Sequence, residues 1–197
     1  MKVSKEQLLN NRNELIAAAT QLFQQQGFGA TGVAQISERA GLTQGGFYGH
    51  FKTKGLLAQA ACRQQFEKVR AEWEASKGTS DNDLETLIDG YVSTAHVDTA
   101  GDGCPMAAYT CEVKNQDALL KETFTQGFER MIEVLEETLK QDFTTETARR
   151  DALFSMCAMV GSVAIARATK ATSPTLSEEI LSATRESLKA FVSHSLA

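Results

Sequence analysis

The sequence predicts an all-α protein, and three observations carry this prediction. Apolar residues recur at three- and four-residue spacing along most of the 197 residues, no β-alternating segment is bounded by hairpin turns, and only two prolines occur. Hydrophobic residues make up 42% of the chain, so the composition excludes a disordered chain and a collagen-like or repeat array. We expect about nine helices, arranged as a three-helix head, a connecting helix and a larger helical domain.

The first two helices of the head have recognisable ends. Ser4 and Gln7 have the spacing of a capping box and mark the start of the first helix. Gly27 and Gly29 are expected to end it, because glycine is common just past the last helical residue. A second, short helix follows, and we take Thr31 as its N-cap.

The third and fourth helices are marked by threonine caps. Gly41 closes the second helix, because glycine adopts the left-handed backbone of a tight turn without strain. Thr43 caps a third helix, and Thr53 caps a fourth that runs from about Lys54 to Lys77. This fourth helix is the connecting helix of the predicted architecture. The predicted domains are residues 1–53 and residues 54–197.

Five further helices are predicted beyond a turn-rich segment of small polar residues. They begin at Asn82, at Pro105, near Leu120, near Glu146 and near Leu176. Pro105 suits the first position of a helix, where its missing N–H costs nothing. Thr175 and Glu178 have the spacing of a capping box for the last helix, and a loop is expected from Asp98 to Gly103.

The cysteines and the N-terminus predict a cytoplasmic protein. Cys62, Cys104, Cys111 and Cys157 form no CxxC pair, which is typical of reduced thiols rather than of a disulfide framework. The N-terminal segment is charged throughout and carries no apolar run of the signal-peptide type. We expect no segment of transmembrane length and no membrane partner.

Charge is distributed unevenly along the chain. Residues 1–55 hold six Lys and Arg and three Asp and Glu, whereas the whole chain has a formal charge of −5. This total excludes a uniformly basic nucleic-acid binder. A mildly basic head on an acidic body suits a protein whose head meets phosphate, although a chance excess of this size is the alternative.

The most informative stretch is Val33 to Leu57, where two short helices flank a glycine turn in the pattern of a helix-turn-helix. Phe47 and Phe51 lie four residues apart and should both face inward. The outward residues are then Thr43, Gln44, Tyr48 and His50. They form hydrogen bonds and carry no fixed negative charge, as a helix lying in a major groove requires.

Three glycines weaken the third helix. Gly45, Gly46 and Gly49 each cost about 1 kcal/mol relative to Ala in a helix interior. Close approach of the backbone to DNA would offset this cost; the alternative is that Phe47 and Phe51 anchor a weak helix regardless. The lysines at positions 52 and 54 follow at the start of the next helix, whose N-terminus can also receive a phosphate.

Many features of the first 60 positions occur together in one register. They are the helix ELIAAATQLF followed by Gly27 and Phe28, then Thr31, Ile36, Ala40, Gly41, Gly46, Phe47, Tyr48, His50, Phe51, Lys54 and Leu57. In this combination the segment resembles the DNA-binding head of the TetR family of bacterial transcriptional regulators. One departure is Gly55, where family members commonly carry an acidic or polar residue, and glycine weakens that helix start.

The resemblance implies a set of DNA contacts. Thr43, Gln44, Gly45, Gly46, Tyr48 and His50 would face the major groove or its phosphates, and Thr31 and Lys54 would hold the DNA backbone. Few of these side chains can read bases, chiefly Gln44 and after it Thr43. We therefore expect large contributions from phosphate contacts and DNA shape, with affinity that falls steeply with salt.

The resemblance also implies a homodimer formed through the last two helices. The penultimate helix carries small and flexible apolar residues, namely Ala148, Ala152, Met156, Met159, Val160, Val163 and Ala164, and the last helix adds Ile180, Leu181, Leu188 and Phe191. Burial of these residues within one subunit is the alternative. Two recognition helices on one rigid body predict half-sites about one DNA turn apart and a roughly palindromic operator.

A ligand-binding role for the body follows from the same resemblance. Candidate pocket residues are Tyr91, His96, Met106, Tyr109, Phe124 and Phe128. For each of them, core packing is the alternative role. The segment GCPMAAYTCEV is similar to a GCP-containing stretch found in a subgroup of the family.

Cys104 carries a separate hypothesis, a redox or electrophile sensor. It precedes Pro105 and can occupy a helix N-cap, where the helix dipole favours the thiolate. Nearby Asp98 and Asp102 would oppose the thiolate, and an inert residue closing a turn is the alternative. A zinc site is not expected, because His96, Cys104 and Cys111 lack ligand spacing and supply only three candidates; no metal or cofactor is predicted.

Three classes of function are compared on these grounds. The leading hypothesis is a ligand-responsive repressor, in which the fourth helix transmits the effect of a small molecule to the head. An enzyme is not expected, because no nucleophile elbow, phosphate loop, paired metal ligands or nucleotide fingerprint occurs. A DNA-packaging protein without sequence specificity is disfavoured by the acidic body, and its sign would be a specificity ratio near unity.

Overall fold

The computed structural model of the chain describes residues 4–80, 82–99, 101, 103–139 and 145–194. Within these ranges the backbone forms ten α-helices, one short 3-10 helix (η1) and no strand. The elements are α1 Lys5–Ala30, α2 Val33–Arg39, α3 Gln44–His50, α4 Lys54–Ser76, α5 Asp83–Tyr91, α6 Thr94–Asp98, α7 Pro105–Tyr109, η1 Val113–Asn115, α8 Ala118–Leu139, α9 Thr145–Lys170 and α10 Pro174–His194. The predicted all-α class, the helix-turn-helix head and the connecting helix, α4, are confirmed.

The chain forms two compact units. The first consists of Met1–Phe66 and Ala100–Gln126, and the second of Glu67–Thr99 and Gly127–Ala197. Part of the body predicted from sequence, which includes α7, therefore belongs to the same unit as the head. The functional boundary expected between residues 53 and 54 falls at the start of α4 and stays a prediction.

The regular geometry of the first helix ends at Gly27, as the sequence predicted, and α1 continues beyond this kink. The backbone of Gly27 has φ +83° and ψ 167°, and helical structure resumes after it as far as Ala30. Gly29 lies within this last helical turn. Thr31 is the C-cap of α1, and the N-cap of α2 is Gly32, so the prediction of Thr31 as a helix N-cap was wrong.

Apolar side chains from all four helices hold the head together. Fully or almost fully buried are Leu15, Ala19, Leu22, Phe23, Phe28, Ile36, Phe47, Phe51 and Leu57. Gly41 has φ +68°, the left-handed conformation predicted for the turn between α2 and α3. The burial of Phe47 and Phe51 thus fixes the short helix α3 despite its three glycines.

The helix starts of the second unit agree with the sequence at α5 and α9 and differ at α6 and α10. Asn82 caps α5 as predicted, accepting a hydrogen bond from the Glu85 N–H at 3.0 Å. The short helix α6 was not predicted, and it includes Asp98; Asp102 lies outside the described residues. The predicted capping box at Thr175 was wrong: Pro174 takes the first helical position, which makes Ser173 the N-cap.

Two expectations about α9 need correction. An 18-residue window within Thr147–Lys170 has a mean hydropathy of 1.5, so this helix is long and apolar enough to span a bilayer by length and composition, contrary to the sequence prediction. A core helix of a soluble protein passes the same test, and α9 packs against α10. Five residues assigned to a dimer interface, Ala148, Ala152, Met156, Met159 and Val163, are completely buried within the subunit.

Candidate nucleic-acid interface

The third helix presents one aromatic side chain inward and its neighbour outward. Phe47 is 0% exposed, whereas Tyr48 is 59% exposed. Gln44 and Gly45 at the start of the helix are also exposed. The outward face therefore carries an amide, a phenol and bare backbone, all of which can donate to or accept from groups in a DNA groove.

The helix is fixed from both ends. The Thr43 hydroxyl accepts a hydrogen bond from the Gly46 N–H at 3.1 Å, which satisfies one of the free donors of the first turn. The Phe47 ring contacts the rings of Tyr48 and Phe51, at centroid separations of 5.1 and 6.2 Å. Tyr48 is thus held at its base by a buried ring while its outer edge faces solvent.

Thr31 does not have the role that the resemblance implied. Its side chain is buried, and its hydroxyl donates to the carbonyl oxygens of Gly27 (2.8 Å) and Leu22 (3.3 Å). Because the hydroxyl closes the last turn of α1, it is not available to a DNA phosphate. The sequence alone does not reveal this, since a threonine after a helix can point either way.

Lys54 lies half-buried at the same junction. Its ammonium donates to the carbonyl oxygens of Phe28 at 2.8 Å and Thr31 at 3.1 Å. These acceptors are neutral, so the positive charge is held in place without being cancelled. Two of its three donors are used within the protein, and the third can still serve the predicted contact with DNA backbone.

A carboxylate from far along the chain supports the bend of α1, and sequence analysis missed it. Glu112 Oε2 accepts a hydrogen bond from the Phe28 N–H at 2.8 Å. A side chain at Gly27 would overlap the Glu112 carboxylate, so a glycine is needed there for space as well as for its positive φ. Because 84 residues separate the partners, no local sequence pattern could have indicated this pair.

The departure at Gly55 also has a structural reason. A Cβ atom at this position would lie 2.6 Å from Asp117 Oδ2, so an acidic side chain there would both collide with Asp117 and repel it. The other oxygen of Asp117 accepts from the Leu120 N–H at 2.8 Å. Asp117 therefore brings a negative charge to the first turn of α4, where the helix dipole favours one.

The segment that contains α7 is tied to α1 and α4 within the first unit. The Gly103 carbonyl accepts hydrogen bonds from the amides of Gln24 at 2.8 Å and Gln65 at 2.9 Å. The rings of Phe28 and Tyr109 pack with a centroid separation of 4.7 Å. Tyr109, one of the candidate pocket residues, thus contacts α1, which is a helix of the head.

The six candidate pocket residues are divided between the two units. Met106, Tyr109 and Phe124 belong to the first unit, and Tyr91, His96 and Phe128 belong to the second. Met106, Tyr109 and Tyr91 are buried, and the other three are partly exposed. Their assignment to one pocket stays a prediction.

Cys104 occupies the helix N-cap, as the sensor hypothesis requires, but it is only 4% exposed. Its Sγ accepts from the Met106 N–H at 3.4 Å. Burial also raises the pKa of the Cys62 thiol to about 12, so this second thiol is neutral and unreactive at pH 7. Cys111 and Cys157 are the exposed thiols. No group of three or more His, Cys, Asp or Glu suited to a metal occurs within the described ranges.

Two family models match the chain. The model of the bacterial regulatory proteins of the tetR family matches residues 15–61. The model of the C-terminal domain of LmrA/YxaF-like transcriptional regulators matches residues 82–177. These ranges cover most of the helix-turn-helix head and most of the helical body, respectively.

Individual proteins agree with this assignment. The HTH-type transcriptional regulator LmrA of Bacillus subtilis is 27% identical over 176 residues, covering 85% of this chain and 92% of LmrA. SCO4454, a TetR-family regulator of Streptomyces coelicolor, has the same fold with a TM-score of 0.79 at 17% identity, over 96% of this chain and 97% of its own. The reduced form of NemR of E. coli gives a TM-score of 0.75 at 20% identity, over 89% and 95%. The chain therefore belongs to the TetR family and is a transcriptional regulator with an LmrA/YxaF-like C-terminal domain.

Proposed function

We propose that the chain is a homodimeric repressor that binds a palindromic operator through α3 and leaves it when a small molecule binds the helical body. One observation carries the DNA-binding part of this proposal. The outer face of α3 combines the exposed Tyr48 and Gln44 with glycine backbone, and it carries no acidic residue. A short helix with such a face can enter a major groove closely and without charge repulsion.

The dimer is supported by a face of α9 that the subunit leaves uncovered. Phe154 and Ile165 are both 54% exposed, although they belong to a long apolar helix. Cys157 and Gly161 lie between them, so residues of this face recur every three or four positions and lie along one side of α9. The Phe191 ring of α10 packs on Phe154 at 4.9 Å, which extends this face onto the last helix. An exposed apolar face of this kind is typical of a subunit interface.

The ligand is proposed to bear a polar group, because two buried atoms of the first unit lack a partner. Within the described residues, neither the Tyr109 hydroxyl nor Gln24 Oε1 has a hydrogen-bond partner. Buried polar atoms are normally satisfied, so these two are available to a ligand. Burial raises the pKa of Tyr109, which keeps its hydroxyl protonated and able to donate.

The same segment offers a way for a ligand to act on the head. Gly103 and Glu112 hold α1 through the Gln24 amide and the Phe28 N–H, and Gly103 also holds α4 through Gln65. A ligand that moves the segment would shift these anchors together. The ligand would release DNA only if its affinity differs between the arrangement of the two heads that binds DNA and the one that does not. Bound DNA must then weaken ligand binding by the same factor as the ligand weakens DNA binding.

The DNA-binding proposal is tested by selecting bound duplexes from a random pool and titrating the selected operator in gel shifts. Tyr48→Ala should lower operator affinity about tenfold or more, with little change in the free energy of unfolding, because the side chain is mostly solvated. Leu119→Ala, which truncates another exposed side chain of the first unit, is the matched control. Full affinity of Tyr48→Ala, or equal affinity of wild type for operator and random DNA, would contradict the proposal.

A redox or electrophile signal acting on Cys104 is the alternative to a reversible ligand. Its position as a helix N-cap favours this alternative, and its burial slows attack by a solvent-borne oxidant. Operator release by peroxide or a quinone should be compared between wild type and Cys104→Ser. Identical responses would exclude Cys104 as the sensor, and loss of release in the variant would establish it.

A further inference from the structure

A second surface for DNA lies beside α3, and it extends the contacts derived above from His50 and Lys52 to Arg12, Gln59 and Arg63. The middle of α1, the end of α3 and the first turns of α4 border a groove of about 430 Å³. Its polar lining consists of Arg12, His50, Lys52, Gln59 and Arg63, and we refer to it as the basic groove. Phe51, Leu56 and Ala60 complete its wall.

The charges of the basic groove are not balanced by acids. Among the residues that the structure describes, no Asp or Glu lines it. Arg12, Lys52 and Arg63 are exposed, and none of them forms an ion pair with any residue of the described ranges. Three like charges that converge on one groove repel each other, so their arrangement favours an anionic occupant.

Arg12 is positioned before any ligand arrives. Its guanidinium lies over the ring of Phe51, with 4.8 Å between Cζ and the ring centroid. Phe51 is itself buried and cannot move away. The ring supports one face of the guanidinium and leaves its N–H edge free, which is the geometry in which Arg binds phosphate oxygens.

We propose that the basic groove binds phosphates of the operator strand next to the half-site that α3 reads. Continuity with α3 supports DNA as the occupant: His50 belongs both to the outer face of α3 and to the groove, and Lys52 follows two residues later. A DNA strand presents phosphates at regular intervals, so a strand that leaves the groove read by α3 brings further charges to Arg12 and Arg63. The inference rests on the proposed function, which it extends beyond the recognition helix.

The test uses charge-removing variants of the full chain and measures how operator affinity depends on salt. Arg63→Gln and Lys52→Gln remove groove charges from exposed side chains, and Lys121→Gln removes the same charge from an exposed position that does not line the groove. Each lost phosphate contact should reduce the slope of log K against log salt by about 0.9. Over the tenfold change from 1 M to 0.1 M salt, a slope change of about 0.9 corresponds to a roughly eightfold loss of affinity per contact. A dimer has two grooves, so each substitution should change the slope by twice this amount.

The loss should have the signature of phosphate binding. Arg63→Gln should weaken operator and random duplexes by the same factor, so that the specificity ratio is unchanged, whereas Tyr48→Ala should weaken the operator selectively. Adding base pairs outside the half-sites should raise wild-type affinity until the groove is filled, and this gain should be smaller for Arg63→Gln. Thermal melts of each variant check that the fold is retained.

Three results would overturn the inference. If Arg63→Gln and Lys52→Gln keep the wild-type slope while Tyr48→Ala loses affinity, the groove does not bind DNA and the proposed function survives. If wild type selects no duplex at all, both proposals fail together. If calorimetry shows that inorganic pyrophosphate binds wild type but not Arg63→Gln, and both bind DNA with one slope, the groove serves a small anion instead.

Discussion

The two compact units hold their basic side chains in different ways. In the second unit, basic residues pair with acids: Lys68 with Glu72, Arg70 with Glu74, Lys77 with Glu137, Arg149 with Glu129 and Glu136, Lys170 with Asp98, and Lys189 with Asp89. In the first unit, Arg39 donates to the Gln21 amide oxygen at 2.9 Å, Lys54 donates to two carbonyls, and Arg12 stacks on Phe51. Neutral partners fix these three side chains without cancelling their charge.

This difference shows that position, rather than net charge, decides what a basic residue can do. The head has an excess of only three positive charges, and sequence alone could attribute that to chance. Because Arg12, Arg39 and Lys54 are fixed by neutral groups, their field remains available to phosphate. The ion pairs of the second unit are mostly exposed, and the two opposite charges of each pair cancel. They therefore contribute little to the long-range attraction of phosphate.

The largest expected effect tests how the head is supported. Gly27→Ala should destabilise the protein by about 3–5 kcal/mol, because the positive φ strains an alanine and the displaced Glu112 carboxylate loses its bond to the Phe28 N–H. A shift of roughly 10 °C in the melting temperature should accompany it. Urea unfolding followed by circular dichroism measures the free energy of unfolding, and thermal unfolding measures the melting temperature.

Gly29→Ala is the matched control, two residues further along α1. A Cβ atom added at Gly29 would meet no other atom within 4 Å, and the backbone there does not have a positive φ. Alanine at this position should be neutral or stabilise the helix by up to about 1 kcal/mol. Equal destabilisation by the two variants would show that the bend at Gly27 and its contact with Glu112 do not support the head.

The head could be predicted from sequence in more detail than the body because its pattern is local. The four-residue spacing of Phe47 and Phe51 predicted which side of α3 is buried, and Thr43 as N-cap was confirmed. Thr31 was assigned wrongly, because the rotamer of one side chain decides whether its hydroxyl faces DNA or the end of α1. The support from Glu112 depends on tertiary structure and could not be predicted from its neighbours.

The body was harder to predict because α9 is apolar on two sides. Met156 and Phe154 are equally hydrophobic in a sequence pattern, yet Met156 is buried in the subunit and Phe154 is exposed. Periodicity identifies apolar faces but not the partner that covers each of them. The dimer through the last two helices therefore stays a proposal. We assign its interface to the exposed face of α9 instead of to the buried residues of that helix.

The second prediction addresses this exposed face of α9. Ile165→Lys should prevent dimer formation, because it places a charge on an apolar interface while leaving the subunit core intact. A monomer reaches only one half-site, so operator affinity should fall by about 100-fold or more. Analytical ultracentrifugation and gel shifts measure the two effects, with Leu119→Lys as the control on an exposed residue of the first unit. A dimeric Ile165→Lys variant would exclude this face.

The third prediction concerns a titrating residue of the second unit. Burial lowers the pKa of His96 below its ordinary 6.5, and the nearby Arg167 acts in the same direction, against the hydrogen bond between Nδ1 and the Tyr91 carbonyl. The unfolded chain therefore binds a proton at a pH where the folded protein does not. Stability should be highest above about pH 6.5 and should fall as the pH is lowered towards the depressed pKa. Urea unfolding at pH 7.5 and 5.5 tests this, and His96→Gln should remove that part of the difference.

The smallest expected effect contrasts one lysine from each unit. Lys189 pairs with Asp89 at 2.6 Å on the partly exposed surface of the second unit, so Lys189→Gln should cost about 0.2–1 kcal/mol of stability, less at high salt. It should leave operator affinity unchanged, since its charge is already neutralised. Lys52→Gln should do the opposite, with unchanged or slightly higher stability, because it relieves repulsion from Arg12 and Arg63, and with weaker DNA binding. If both variants had the same effects on stability and affinity, pairing with acids would not distinguish the two units.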